Sequence, residues 1–375
     1  MKFSYSWLSE HLKTNTQSEE IEKKLTAIGL EVENVQDTGK AYQKFIVGQV
    51  LEERKHPNAD KLRLCKVDIG KEKVDVVCGA PNVEKGMKVV YAPVGSIIPV
   101  NQMKIKAAKI RGVESFGMMC SEYELGISNE HDGIIHLNEN EKVGTSYAKI
   151  SGLNDIVIEI GITPNRQDCL GVNGIARDLA AAGMGELIDK KIINHKGSFK
   201  SPIKIEIKDK SACPAFAGRY FRNVKNVESP GWLKNRVKSI GLRPISALVD
   251  ITNFVMFDLN RPLHVYDADK INGKIIVRSA KDGESFLALD EKKYELKNGM
   301  CAITDETKVL GLGGIMGGES TGCGLDTENV FLESALFDAV NTAKTGRNLS
   351  ILSDARYRFE RGIDPNSTSK GIDLA

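Results

Sequence analysis

Apolar residues at helical spacing predict a short amphipathic helix near the start of the chain. Within residues 18–28, Ile21, Leu25 and Ile28 recur at intervals of four and three positions, after a serine and two glutamates. Gly29 follows as a stop signal. The apolar stripe is too small to be stable alone, so we expect this helix to pack on another part of the chain.

From Phe45 onward the pattern changes to short apolar runs separated by Gly, Pro or Asn. The runs follow one another at about 8–12 residues, the spacing that is typical of a small β-barrel or sandwich. We expect five strands in an OB-type β-barrel that occupies residues 39–151. The predicted strands are residues 45–51, 62–69, 74–77, 88–94 and 104–110.

A second helical stripe follows Gly171, where Ile175, Leu179 and Ala182 fall on one face. The natural partner for this face is the first predicted helix. The barrel would then be an insertion within a small split α/β domain. That domain is predicted to consist of residues 1–38 and 152–195.

The remainder of the chain mixes strands and helices without regular alternation, which favours an α+β domain over residues 199–375. The stretch at 367–375 is helix-like and ends without a capping residue, so we expect a domain that is truncated at its C-terminus. The predicted helices begin near residues 231 and 245, and the predicted strands are residues 201–207, 273–278, 300–304, 309–312 and 329–332. The predicted fold class is therefore a multidomain α+β protein.

The composition indicates a soluble cytoplasmic protein without a membrane anchor. Hydrophobic residues make up 41% of the 375 positions and charged residues 27%, and no apolar run reaches the ~18–20 residues of a membrane span. The seven cysteines are scattered, which argues against a disulfide framework or a structural zinc site. We expect no metal site and no bound cofactor in this segment.

The formal net charge of +2 conceals a basic segment. Residues 40–112 contain 15 Lys and Arg against 7 Asp and Glu, which favours a module that binds a polyanion. Aromatic residues are sparse there, so we expect recognition of an RNA backbone and not of its bases. The alternative is a solvated lysine-rich surface. The predicted phosphate-binding residues are Arg54, Lys55, Lys61, Arg63, Lys66, Lys104, Lys106, Lys109 and Arg111. We expect the last four to project toward one face, with a bulge before Lys109.

Four segments within residues 56–126 resemble the tRNA-binding OB domains of several aminoacyl-tRNA synthetases. They are HPNADKL at 56–62, RLCKVD at 63–68, VCGAPNV at 77–83 and GMMCSEYELG at 117–126. Further segments resemble the bacterial-type β subunit of phenylalanyl-tRNA synthetase, in the order of that family. These are GITPNRQDCLG at 161–171, GIARDLA at 174–180, DITNFV at 250–255, PLH at 262–264, GIMGG at 314–318 and RFERGIDP at 358–365.

The resemblance covers only the N-terminal half of such β subunits and implies that aminoacylation is carried out by another subunit. In the family, an α subunit handles ATP, Mg²⁺ and phenylalanine within a heterotetramer of two α and two β chains. This segment should therefore bind tRNA(Phe) without aminoacylating it. The family's domain at residues 199–375 hydrolyses tyrosine that has been wrongly attached to tRNA(Phe), because a synthetic site shaped for phenylalanine rejects an added hydroxyl poorly.

Glu333 is the predicted specificity residue of this hydrolysis. On a strand, Phe331, Glu333 and Ala335 share one face, so the carboxylate lies between apolar neighbours and could accept a hydrogen bond from a tyrosine phenol. From the residues alone, a Glu paired with a nearby Arg is the simpler interpretation. The resemblance favours the specificity role.

His264 and Asn253 are the predicted catalytic residues, because a His/Asn pair can orient water and stabilise an oxyanion without a protein nucleophile. A histidine between Leu and Val is otherwise more often structural, and only the resemblance reverses that interpretation. Ser353 stands where the family often has threonine. The remaining positions that the resemblance assigns to the site are Arg243, Thr252, Pro262, Gly314, Gly317, Ser353, Ala335 and Ala355. The alternative function is a non-catalytic module for tRNA binding and subunit assembly.

Overall fold

The computed structural model describes residues 1–128 and 131–375, which contacts divide into two compact units. Unit 1 comprises Met1–Val35 and Val157–Ala375, and unit 2 comprises Gln36–Ile156. Unit 2 is thus inserted within the sequence of unit 1. The finer division of unit 1 into residues 1–38 with 152–195 and residues 199–375 stays a prediction, because contacts join both parts into one unit.

The N-terminal segment of unit 1 confirms the first predicted helix. It contains β1 (Lys2–Ser4), α1 (Tyr5–Leu8), β2 (Leu12–Lys13), α2 (Ser18–Ala27) and β3 (Val32–Asp37). Ile21 and Leu25 of α2 are fully buried, and the chain leaves the helix at Gly29, whose φ of +87° favours glycine.

Unit 2 is built around a five-stranded antiparallel sheet. Its elements are β4 (Ile46–His56), β5 (Ala59–Asp68), β6 (Lys73–Cys78), β7 (Lys88–Ala92), β8 (Ala108–Ile110), β9 (Val113–Ser115), β10 (Met118–Met119) and α3 (Tyr147–Ile150). The strand order is β10-β7-β4-β5-β6. Alternate residues of these strands, such as Val67, Val76 and Val89, form a buried core.

The predicted strand at 104–110 is wrong, although the four strands before it are confirmed. Only Ala108–Ile110 is a strand, and it pairs with β9 in a separate two-stranded sheet. Ile105 instead exchanges backbone hydrogen bonds of 2.8 Å with Gly95 and Ser96. Arg111 lies in the turn that follows, with a φ of +49°. The lysines at 104 and 106 therefore do not share a strand face with Lys109 and Arg111.

The longer segment of unit 1 mixes helices with two main sheets. One has the order β13-β16-β19-β20-β21, with β13 and β16 parallel, and the other has the order β14-β22-β15. Its elements are β11 (Ile156–Ile160), α4 (Val172–Ala181), β12 (Glu186–Leu187), β13 (Ile205–Ile207), β14 (Ala215–Phe221), α5 (Gly231–Ser239), α6 (Ala247–Leu259), β15 (His264–Asp267), β16 (Ile275–Ser279), β17 (Ser285–Leu287), β18 (Lys293–Glu295), β19 (Cys301–Thr304), β20 (Val309–Leu312), β21 (Met316–Gly317), β22 (Val330–Leu336), α7 (Ala339–Asn348), α8 (Asp354–Phe359) and α9 (Thr368–Leu374).

The predicted contact between the two early helices is present, since α2 contacts α4, whose Ile175 and Leu179 are buried. The mixed α and β content is confirmed. Throughout the part of the chain that the structure describes, no helix has both the length and the apolar character required to cross a membrane.

Candidate active site and RNA-binding surface

Strand pairing places His264 directly beside Glu333. β22 is the central strand of its sheet, and in the antiparallel register His264 of β15 lies opposite Glu333, while Gly218 of β14 lies opposite on the other side. The two-residue period of β22 directs Phe331, Glu333 and Ala335 to one face, as the sequence predicts. Cross-strand neighbours in such a pair have Cβ atoms about 4.5–5.5 Å apart.

Glu333 is 5% exposed and already has a phenol beside it. The hydroxyl of Tyr266 donates a hydrogen bond to Glu333 Oε2. Burial raises the pKa of Glu333 to about 7, although the Tyr266 hydrogen bond acts in the opposite direction. The carboxyl group is therefore about half ionised near neutral pH. Its second oxygen accepts no hydrogen bond from the described residues.

His264 is held as a neutral imidazole. Burial lowers the pKa of His264 to about 4, and its Nε2 atom is shielded from solvent without a hydrogen-bond partner among the described residues. Its ring lies edge-on to Tyr266, with 4.4 Å between the ring centroids. Gly317 makes this placement possible, because a Cβ atom there would be 2.2 Å from Cε1 of His264.

One cavity of about 350 Å³ contains both side chains. A cavity of this size is at the lower end of the range for small-molecule sites. Its walls are mainly apolar, and Glu333 and His264 are among the few polar groups that face it. Six of the predicted site residues line the cavity: Pro262, His264, Gly314, Gly317, Glu333 and Ala355.

Five other predicted residues do not line this cavity. Arg243 is exposed in the loop between α5 and α6, and Thr252 and Asn253 are half-buried on α6. Ala335 is on the same strand face as Glu333, two residues further along, but it is buried in the hydrophobic core. Ser353 caps α8, and its hydroxyl donates to the Ile315 carbonyl at 2.7 Å.

A fully buried arginine connects the ends of the two site strands. Arg261, three residues before His264, donates from Nη1 to the Ala335 carbonyl at 2.7 Å and from Nε to Ser367 Oγ at 2.8 Å. It also donates to the Asp364 carbonyl. Because Ala335 is two residues beyond Glu333, Arg261 holds both strands in place at one end of the cavity.

In unit 2 the structure joins part of the two basic clusters. The turn between β4 and β5 is hydrogen-bonded to the β8–β9 turn, through His56 Nε2 and the Ile110 carbonyl at 3.1 Å and through Asn58 Nδ2 and the Arg111 carbonyl at 3.0 Å. Two of the predicted residues are engaged in ion pairs: Arg63 with Glu53 at 2.7 Å, and Lys66 with Asp75 at 3.6 Å.

The exposed tip formed by these two turns carries five predicted cations. None of the five forms an ion pair within the described ranges 1–128 and 131–375, and all are exposed. Such a concentration of unpaired positive charge attracts phosphates. We call this surface the basic tip; it consists of Arg54, Lys55, Lys61, Lys109 and Arg111.

One acidic group in unit 1 has the composition of a metal site. Ligand atoms of Asp168, Cys169 and Asp178 lie within 4.8 Å of one another. Both carboxylates already contact arginines: Arg166 reaches Asp168 at 3.2 Å and also pairs with Asp178, and Arg177 pairs with Asp168. Burial raises the pKa of the Cys169 thiol to about 12, so it keeps its proton. We assign this cluster to structural ion pairing.

Two family models match the chain. The model described as "B3/4 domain" matches residues 212–375, which contain the cavity, and the model described as "Putative tRNA binding domain" matches residues 45–146, which contain the basic tip.

Curated relatives match along the entire chain. Proteins named phenylalanine–tRNA ligase beta subunit are 52% identical in Bradyrhizobium diazoefficiens, 54% in Paramagnetospirillum magneticum and 52% in Brucella suis. Each alignment covers 100% of this chain and 47% of the relative. The chain belongs to the phenylalanine–tRNA ligase β-subunit family. It spans about half the length of the curated relatives it matches.

Solved structures resemble it only distantly. An N-terminal fragment of the phenylalanyl-tRNA synthetase β subunit from Pyrococcus horikoshii has a TM-score of 0.30 at 17% identity, covering 52% of this chain and 62% of that one. A protein from the same organism related to MetRS has a TM-score of 0.21 at 27% identity, covering 27% and 86%. Scores this low support no functional inference.

The sequence pattern did not identify two polar residues that line the cavity, Tyr266 and Asp290. Tyr266 was detectable, because it lies two residues from His264 on the same strand and therefore on the same face. Asp290 was not: it lies in the β17–β18 turn, where no periodic pattern points to the cavity, and its carboxylate accepts a 2.7 Å hydrogen bond from Tyr294.

Proposed function

We propose that unit 1 removes tyrosine from mischarged tRNA(Phe) by ester hydrolysis and that unit 2 binds the tRNA. The observation that carries the proposal is the cross-strand pair of His264 and Glu333, which face one cavity from adjacent strands. Apart from the hydrogen bond from Tyr266 to Glu333, neither side chain has a hydrogen bond to another of the described residues.

Selection of tyrosine would come from the free oxygen of Glu333. A tyrosine phenol in the cavity donates a hydrogen bond to this oxygen, whereas phenylalanine leaves it buried and unpaired. An unpaired buried polar group costs about 1–3 kcal/mol, and more if it is charged. The cavity of His264 and Glu333 can thereby require the hydroxyl that a synthetic site shaped for phenylalanine rejects poorly.

Hydrolysis would use His264 as the general base. Its neutral imidazole accepts a proton from a water molecule as the water oxygen attacks the ester carbonyl. The same proton then passes to the ribose oxygen as the ester C–O bond breaks, so that the products are free tyrosine and an uncharged tRNA. Asn253 remains a predicted contributor from α6, and its variant is included in the test.

The basic tip of unit 2 would contact tRNA phosphates, with Lys104 and Lys106 as separate contacts. We propose that the protein works in the cytoplasm with an α subunit, in an assembly of two α and two β chains. That assembly would use ATP and Mg²⁺ for aminoacylation. We assign no residue of this chain to either.

The test is deacylation of tyrosyl-tRNA(Phe) and phenylalanyl-tRNA(Phe) by the purified chain. The wild type should release tyrosine faster than phenylalanine, and His264→Ala should slow tyrosine release by roughly 10²–10⁴-fold, the usual contribution of general acid–base catalysis. Asn253→Ala should slow it less. Arg347→Ala, an exposed variant outside the cavity, is the matched control.

A second candidate function is a non-catalytic tRNA-binding and assembly module. It is favoured by the internal Tyr266 hydrogen bond, which already occupies one oxygen of Glu333. Wild-type protein that binds tRNA(Phe) but leaves both esters at the uncatalysed rate would establish this module and overturn the proposed hydrolysis.

A further inference from the structure

Three apolar side chains are exposed together on the α5 side of unit 1. Trp232 is 58% exposed, Val227 54% and Ile245 68%. Their segments are joined by a 2.8 Å hydrogen bond from the Ala247 amide to the Val227 carbonyl, and Trp232 follows Val227 by five residues at the start of α5. We call this surface the Trp232 patch. It is not part of the cavity that contains His264.

Trp232 packs against Phe254, which in turn stacks on Trp7. The buried Trp7 stacks on Phe254 with 5.2 Å between centroids, and Phe254 meets Trp232 edge-on at 5.5 Å. Trp7 is itself anchored by a 2.7 Å hydrogen bond from Nε1 to Asp258. The indole of Trp232 is thus restrained by packing, so a ligand that stacks on its exposed face pays little conformational entropy.

The segment that carries the patch is strongly basic. Residues 225–243 contain five Lys and Arg and one acidic residue, Glu228. Lys234 pairs with that glutamate and Arg236 pairs with Glu10. The other three cations are exposed and form no ion pair within the described part of the chain; they are Lys225, Lys238 and Arg243.

We propose that the Trp232 patch binds single-stranded RNA, with one base stacked on Trp232 and the phosphates near Lys225, Lys238 and Arg243. Base stacking on an exposed aromatic ring beside unpaired cations is the common mode of sequence-tolerant binding to single strands. Lysine is depleted in protein–protein interfaces relative to the rest of the surface, so the exposed Lys225 and Lys238 of this segment favour RNA over a protein partner. The patch lies outside the cavity and unit 2, so the inference does not depend on the proposed hydrolysis.

Tryptophan emission gives a direct test. The chain contains two tryptophans, and Trp7 is fully buried, so quenching by RNA reports on Trp232. The whole chain is titrated with a ten-nucleotide single-stranded RNA, and affinity is followed in parallel by the anisotropy of a labelled copy. We expect saturable quenching in the wild type and none in Trp232→Phe, which binds with near wild-type affinity.

Trp232→Ala should weaken binding roughly ten-fold, because it removes a stacked base. Lys238→Ala should lower the slope of log affinity against log salt by about one. Leu325→Ala, which shortens another exposed apolar side chain of unit 1, is the matched control and should bind like the wild type. Circular dichroism of each variant checks that it is folded.

Two results would overturn the inference. One is wild-type emission that stays constant at RNA concentrations that saturate the anisotropy signal; binding would then belong to unit 2, and the tRNA-binding proposal would stand. The other is quenching by a partner protein such as the purified α subunit with no quenching by RNA, which would assign the Trp232 patch to a protein interface.

Discussion

At the scale of single residues, burial decides the chemistry of the candidate site. Burial favours the uncharged form of both side chains. It therefore raises the pKa of Glu333 and lowers the pKa of His264. The result is a carboxyl group that titrates near pH 7 beside an imidazole that stays neutral. Tyr266, on the same strand as His264, holds the carboxyl group in position.

The ionisation of Glu333 predicts a pH-dependent selectivity. Since the pKa of Glu333 is raised to about 7, the carboxylate that accepts the substrate phenol grows from about a tenth of the population at pH 6 to about nine-tenths at pH 8. The ratio of tyrosine to phenylalanine release should therefore rise up to about ten-fold over this range. Glu333→Gln cannot ionise, and its ratio should be low and independent of pH; a wild-type ratio that is equally flat would contradict the role of Glu333.

The same raised pKa predicts a pH-dependent stability. Between the ordinary pKa of 4.5 and about 7, the folded chain holds a proton that the unfolded chain has released, so stability falls as the pH rises through this window. The loss amounts to about 3 kcal/mol. Most of this loss falls between pH 5 and pH 8, so urea denaturation at these two pH values should show Glu333→Gln gaining about 2–3 kcal/mol relative to the wild type. If the stability of Glu333→Gln relative to the wild type were the same at both pH values, Glu333 would have a normal pKa.

Gly317 should not tolerate a side chain, because the imidazole of His264 occupies the space that a Cβ atom would need. A Cβ atom in Gly317→Ala would lie 2.2 Å from His264 Cε1, so the ring must leave its position. We expect at least ten-fold slower tyrosine release with unchanged tRNA binding. Gly231→Ala is the control glycine, since a Cβ atom there meets no atom within 4 Å. Equal rates for the two variants would show that the placement of His264 is unimportant.

At the scale of elements, the site depends on how β15 and β22 are held together. The sequence pattern predicts β22 and the face that Glu333 occupies, because side chains alternate with a period of two. It predicts no strand at the position of β15. It does not predict that β15 is the neighbour of β22, because 62 residues separate Asp267, the last residue of β15, from Val330, the first residue of β22. Pairing across such a distance is decided by the packing of the whole unit.

Arg261 should stabilise this pairing. Arg261→Lys keeps the charge but cannot supply three separate donors in the fixed geometry of a guanidinium, so at least one buried carbonyl loses its partner. We expect a loss of about 1–3 kcal/mol in the free energy of unfolding, measured with urea. Arg243→Lys, at an exposed arginine, should change stability by less than about 0.5 kcal/mol. Equal stabilities would show that the Arg261 hydrogen bonds do not hold the strands.

At the scale of the whole molecule, a basic module is inserted in the sequence of the unit that contains the cavity of His264 and Glu333. The division of charge is visible in the sequence, since residues 40–112 carry a net charge of +8 within a chain of +2. The structure refines the binding surface, because it joins Lys109 and Arg111 to the β4–β5 turn and pairs Arg63 and Lys66 with acids.

This arrangement predicts unequal effects of the basic residues on tRNA binding. Lys109→Ala with Arg111→Ala should weaken binding and lower the slope of log affinity against log salt by about two, because each unpaired cation releases about one counterion. Lys66→Ala, at a cation that already has an acidic partner, should change the slope less. Filter binding of tRNA(Phe) between 50 and 200 mM salt measures both. A larger effect from Lys66 would contradict the assignment of the basic tip.

The sequence by itself determined the family, the basic segment, four strands of the main sheet of unit 2, several helices and the face of Glu333, because motifs, charge and periodicity are local properties of the chain. Tertiary structure alone decided that Asn253, Thr252 and Arg243 do not line the cavity, that Tyr266 bonds to Glu333, and that residues 104–107 are not a strand. These outcomes depend on which distant segments meet, and burial at those meetings sets the pKa values on which the proposed chemistry rests.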